Sequence, residues 1–91
     1  MAAKKKPTAS MSDDAVDAWF KACASYTEIP ETPMGMSFHT LSKKGAPRNP
    51  KTNQPDNMVT VGLGTEGTPP PADPSLVKRF LVRWYVGVYG E

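Results

Sequence analysis

Apolar residues recur over positions 12–26 at intervals of three and four: Val16, Trp19, Phe20 and Cys23, with Tyr26 extending the row. The spacing predicts a helix with one buried face, opposite Asp14, Asp17 and Lys21. Ser12 can cap its start, Asp13 and Asp14 suit the positive end of its dipole, and Pro30 forbids its extension. A Pro-rich connector over 29–33 leads into strict alternation, in which Met34, Met36 and Phe38 interleave with Gly35, Ser37 and His39. Period two predicts a strand over 34–41, and Val59, Val61 and Leu63 predict a second over 58–63. Two strands bracketing a long polar loop predict an antiparallel ribbon.

The last segment carries two periods at once. Asp73-Pro74 suits a helix start, and Val77, Phe80, Leu81 and Trp84 share a helical face. Val82, Trp84, Val86 and Val88 also alternate with Arg83, Tyr85, Gly87 and Tyr89, as in a strand. The compromise is a helix to residue 83–86 that gives way to an extended tail, with helix or strand left open for 82–89. Three consecutive prolines, Pro69 to Pro71, predict an extended linker, and the lysines and small residues of MAAKKKPTASM predict a disordered basic leader. The expected architecture is a small α+β domain. It comprises a leader at 1–11, a helix plus β-ribbon at 12–64, a Pro-rich linker at 65–73, and a C-terminal helix or extended aromatic segment at 74–91.

Composition makes the core thin. Chains of this size, 91 residues, bury only roughly 60% of their unfolded surface. Apolar residues are 38% of the chain and prolines number ten, so the fold is expected to lean on a partner. The single cysteine, Cys23, excludes an internal disulfide framework and cannot build a zinc site with the single His39. Both read as structural: Cys23 as a small buried hydrophobe beside Trp19 and Phe20, His39 as a strand residue facing water or a neighbouring strand. No apolar run approaches the ~18 residues of a membrane span. No membrane partner is expected, and the cytoplasm or the interior of a large complex is the expected location.

The net charge of +2 is too small to imply nucleic acid, but its distribution is blocky. Lys4 to Lys6 are basic, the helix that follows is acidic, and the stretch KKGAPRNPKTNQPD over 43–56 carries Lys43, Lys44, Arg48 and Lys51 before its first acid, Asp56. With Gly45, Pro47, Pro50 and Pro55 and no apolar residue larger than Ala, that loop must be solvated or bound to something. Glycines at 62, 64 and 67 spell G-x-G-x-x-G, yet prolines stand where the dinucleotide motif requires a helix, so no cofactor is expected. Asp13, Asp14 and Asp17 serve the helix dipole rather than acid–base chemistry.

The segment Arg48-Asn49-Pro50-Lys51-Thr52 resembles the arm tip of the bacterial HU/IHF histone-like DNA-binding proteins, and Gly35-Met36-Ser37-Phe38 is similar to the strand that precedes that arm. The resemblance covers 35–61. It implies a two-stranded ribbon in the minor groove, with Pro50 as the wedge, Arg48 and Asn49 as minor-groove contacts, and Lys43, Lys44 and Lys51 on phosphates. The sequence departs from the pattern: Pro47 and Asn53 replace the glycines that flank the tip, and one helix rather than two precedes the ribbon.

A second cluster, Phe80, Trp84, Tyr85 and Tyr89 beside Arg79 and Arg83, has the composition of a protein–protein hot spot. No nucleophile–base pair is evident along the chain. The reading that follows is a non-enzymatic structural or binding protein, a component of a larger assembly such as a phage virion. Its interface is Phe80, Trp84, Tyr85, Tyr89, Arg79 and Arg83, contacting a protein partner or another copy, with no small molecule expected. The alternative is HU-like architectural DNA binding through the 43–56 loop.

Overall fold

A computed structural model describes residues 8–30, 33, 35–64 and 74–91. The linker expected at 65–73 and residues 1–7 of the expected leader lie outside the described residues. Five elements follow in order: α1 (Asp13–Cys23), β1 (Ala24–Ile29), β2 (Ser37–Lys43), β3 (Met58–Leu63) and α2 (Pro74–Tyr89). The chain is a small α+β domain, with three antiparallel strands in the order β1-β2-β3 and both helices against the face that bears Leu41, Val59 and Leu63.

Helix α1 starts where its capping residue dictates. Ser12 is extended, and its Oγ accepts the Ala15 N–H at 3.1 Å, satisfying one of the free donors of the first turn. The helix expected over 12–26 ends earlier, at Cys23. Ala24 adopts extended geometry and residues 24–29 form a strand, so Tyr26 leaves the helical row. The Tyr, Thr and Ile of this stretch suit a pleated surface, and pairing with β2 from Ala24↔Lys43 to Ile29↔Phe38 decides the matter. The expected two-stranded ribbon is therefore the β2–β3 part of a three-stranded sheet, in register from Ser37↔Leu63 to Ser42↔Met58.

Alternation sorts the sheet into two faces. Leu41, Val59 and Leu63 point towards the helices and are buried, whereas Thr27 and Thr60 point away and are exposed. Thr40 and Thr60 meet across the outer face, Oγ1 to Oγ1 at 3.1 Å. At the end of β3, Gly64 takes φ 103° within 2.6 Å of the Gly35 carbonyl oxygen, measured from where a Cβ would lie, so only glycine fits.

Helix α2 closes the core. Val77, Leu81, Val82 and Tyr85 are buried at helical spacing and meet Val16 and Trp19 of α1 over Leu41. The Trp19 and Tyr85 rings lie 5.4 Å apart, and the Trp19 Nε1–H is buried without a hydrogen-bond acceptor. The extended tail expected after residue 83–86 does not form; the helix continues to Tyr89. It ends at Gly90, whose φ of 88° and N–H bond to the Val86 carbonyl, 2.8 Å, make a left-handed C-terminal cap. Burial on a single side of this segment satisfies the helical period and leaves the strand period without a partner strand. Before α1, the Ala9 N–H donates to the Arg83 carbonyl at 2.8 Å and Met11 packs against the core, which ties residues 8–11 to α2.

Candidate functional site

The aromatic–arginine cluster of α2 separates into three environments. Tyr85 is core, only 3% exposed. Arg79 and Arg83 turn towards α1: Arg79 grips Asp17 from Nε and Nη2 at 3.0 and 2.8 Å, and Arg83 Nη2 reaches Asp13 at 2.7 Å and the Met11 carbonyl at 2.9 Å. These arginines clamp the two helices. The hydrogen bond from Arg83, reinforced by the Arg79 charge, holds the Asp13 carboxyl below its ordinary value, and the bond from Arg79 does the same for Asp17.

What remains outside is apolar. Leu76 and Phe80 are 51% and 48% exposed, Trp84 is half-buried one turn further on, and the Phe80 and Trp84 rings lie 5.9 Å apart. Spacing of four places Leu76, Phe80 and Trp84 in one row along the helix. Leu76 joins the surface although the sequence cluster began at Arg79, because its exposure depends on which side of α2 the sheet covers. Tyr89 is also exposed, and its hydroxyl donates to the Met58 carbonyl at 3.3 Å. Lys78, on the other side of α2 from this row, is drawn across the Phe20 and Tyr26 rings, with Nζ 5.5 and 5.4 Å from their centroids.

The basic loop between β2 and β3 is folded back on itself. Lys43 Nζ donates to the Glu91 carbonyl at 2.7 Å and Lys44 Nζ to the Lys21 carbonyl at 3.3 Å, so both lysines at its base are tied to helix ends. Arg48 donates to the Asn53 carbonyl at 2.9 Å and forms an isolated bridge with Pro55. Asn49 is occupied inside the turn, where its side chain accepts the Lys51 N–H and its carbonyl the Asn53 N–H. Pro50 and Lys51 stand exposed at the tip. The loop bounds a groove of ≈ 230 Å³ against the outer face of the sheet, between Arg48, Asn53 and Gln54 on one side and Ser25, Thr27 and Thr40 on the other.

Sequence reasoning passed over one further cluster. His39 lies on the helix-facing side of β2, only 7% exposed, and both ring nitrogens are engaged: Nδ1 meets the Tyr26 hydroxyl at 2.7 Å and Nε2 meets Ser37 Oγ at 3.0 Å. Tyr26 Oη in turn donates to Glu28 Oε1 at 3.4 Å. Burial, with the charge and hydrogen bond of Glu28, pushes the Tyr26 phenol up to about 12. These four side chains open on a cleft of ≈ 180 Å³ closed by Leu63, Pro74 and Val77. Ser37 and His39 are two apart on one strand and so share its face; Tyr26 and Glu28 arrive only because β1 exists. The i, i+2 spacing of Ser37 and His39 was the available signal.

Among the described residues, no helix is long and apolar enough to cross a membrane. No protein-family model, curated protein or solved structure matches this chain.

Proposed function

We propose that the chain works by binding, as a structural component of a larger protein assembly, and that it docks through the exposed face of α2. The observation that carries this reading is the row Leu76–Phe80–Trp84, a contiguous apolar strip on a helix whose opposite side already fills the core. The arginines on the flank of α2 are committed to Asp13 and Asp17, which leaves less bare positive charge to repel a copy approaching the same strip. A second copy of the chain is the first occupant to test, since a twofold axis across the strip would set Phe80 and Trp84 of each copy against the other. Such a component would work in the cytoplasm or within a large complex such as a virion.

Sedimentation velocity over a concentration series tests the reading. Association that Phe80→Glu abolishes supports it; a monomer at every concentration, bound by no protein partner, contradicts it. The same series with duplex DNA tests binding through the 43–56 loop. For that reading Pro50 and Lys51 at the tip are exposed together with Lys44, Arg48 and Asn49, and Pro50→Ala should diminish any bending of the DNA.

A further inference from the structure

The groove between the basic loop and the outer face of the sheet is lined by one cation and by no acid. Arg48, Asn53 and Gln54 form its loop wall, and hydroxyls form its floor. The floor follows from the register: Ser25 pairs with Ser42 and Thr27 with Thr40, and alternation turns all four away from the helices. Directly opposed residues stand about 5 Å apart at Cβ, so these hydroxyls make one compact polar patch.

Two groups in the groove have unused hydrogen-bonding capacity. Arg48 is fixed in place, because Nη1 donates to the Asn53 carbonyl at 2.9 Å and Asn53 is itself held at φ 57° with its N–H on the Asn49 carbonyl. That bond uses one of the five guanidinium N–H groups, and among the described residues Arg48 makes no ion pair. Asp56, the acid nearest to it in sequence, lines a different cavity with Lys43 and Lys44. Ser42 lines the groove and is only 4% exposed, and its hydroxyl has no hydrogen-bond partner among the described residues. A buried hydroxyl left unpaired is unfavourable, and the preset arginine beside it favours an anion as the missing partner.

We propose that this groove binds a small phosphate monoester. Such a ligand has three terminal oxygens: two meet paired N–H groups of the planar guanidinium, and the third accepts from Ser42. A carboxylate has only the two oxygens that the guanidinium fork takes. Ser25, Thr27, Thr40 and Gln54 then face the polar remainder of the ligand. The volume of ≈ 230 Å³ is below the ~300 Å³ at which pockets for drug-sized ligands begin, so that remainder is short. The site is separate from the two surfaces already considered, since neither Leu76, Phe80 and Trp84 nor the loop-tip residues Pro50 and Lys51 line it.

The probe is glycerol 3-phosphate, titrated into the full chain at fixed ionic strength and followed by proton–nitrogen NMR. Saturable shifts are expected at the amides of Ser25, Ser42 and Asn53 and at Arg48 Nε, and neither glycerol nor acetate should reproduce them. Arg48→Gln should abolish binding, and Arg48→Lys, which keeps the charge and loses the fork, should weaken it roughly tenfold. Ser42→Ala removes the unpaired hydroxyl, so it should leave the free chain folded and weaken binding roughly tenfold, the scale of one hydrogen bond to a charged group. Pro50→Ala should bind as the unsubstituted chain does, which separates this site from DNA binding through the loop tip. The absence of a saturable shift, shifts confined to Lys43 and Lys44, undiminished binding by folded Arg48→Gln or Ser42→Ala, or acetate binding as tightly as the phosphate ester would each overturn the proposal.

Discussion

Arg79 on α2 holds Asp17 on α1 in a two-point grip, Nε to Oδ1 at 3.0 Å and Nη2 to Oδ2 at 2.8 Å, across 62 residues of chain. Together with Arg83 on Asp13, it fixes the rotation of α2 about its own axis. That rotation decides which residues of α2 face outward. The exposed row is thus a consequence of the clamp as well as of the core.

The clamp makes stability depend on acid. The hydrogen bond from Arg83 lowers the Asp13 carboxyl, and that from Arg79 lowers Asp17, each below the ordinary 3.8. A carboxyl depressed in the folded chain contributes stability above its unfolded value and loses it as pH falls through the folded one. Urea midpoints should be level near neutrality and fall once the solution passes below 3.8. Asp13→Asn with Asp17→Asn should flatten that fall; an unchanged slope in the double variant would show that other groups set it.

Burial works in the opposite direction on the phenols. Tyr26 is pushed up to about 12, first by burial and then by Glu28, and burial also raises Tyr85. A phenol raised on folding leaves stability intact below the unfolded value of 10.0 and removes it as pH climbs towards 12. Tyrosinate absorbance should therefore show late titration of these two residues in the folded chain. Tyr26→Phe should remove the step near 12, and a folded chain in which Tyr26 and Tyr85 both titrate near 10.0 would contradict the structure.

Gly45 and Gly64 separate conformational from steric demand. Both have positive φ, 74° and 103°, but a Cβ on Gly45 meets nothing within 4 Å whereas one on Gly64 would lie 2.6 Å from the Gly35 oxygen. Gly45→Ala should cost about 1 kcal/mol, the penalty of left-handed backbone. Gly64→Ala should cost roughly 2–3 kcal/mol, because the backbone must also move. Equal losses in thermal or urea unfolding would mean that the Gly35–Gly64 approach is not maintained.

The elements that the sequence disclosed are those written in local chemistry. Ser12 with Asp13 and Asp14 marks the start of α1, and alternation marks β2 and β3. Strand β1 was hidden because Tyr26 stands three residues after Cys23 and fits the helical row equally well. Its state is decided by β2, a partner that no local window contains. The same non-locality hid the work of Arg79 and Arg83, which looked like free interface cations until α1 brought its aspartates to them. It also hid the surroundings of His39, since Tyr26 and Glu28 reach it only through the pairing of β1 with β2. The row Leu76–Phe80–Trp84 was legible as apolar but not as exposed, because Val77, Phe80, Leu81 and Trp84 form one stripe until the sheet covers part of it.

Sedimentation velocity of the intact chain against Phe80→Glu, with circular dichroism to confirm that both remain folded, is the most direct test of docking through α2. The intact chain should associate as concentration rises, and the variant should associate roughly 30-fold more weakly, from the ~2 kcal/mol carried by a hot-spot aromatic. Indistinguishable compact monomers, or equal association by the two chains, would contradict it.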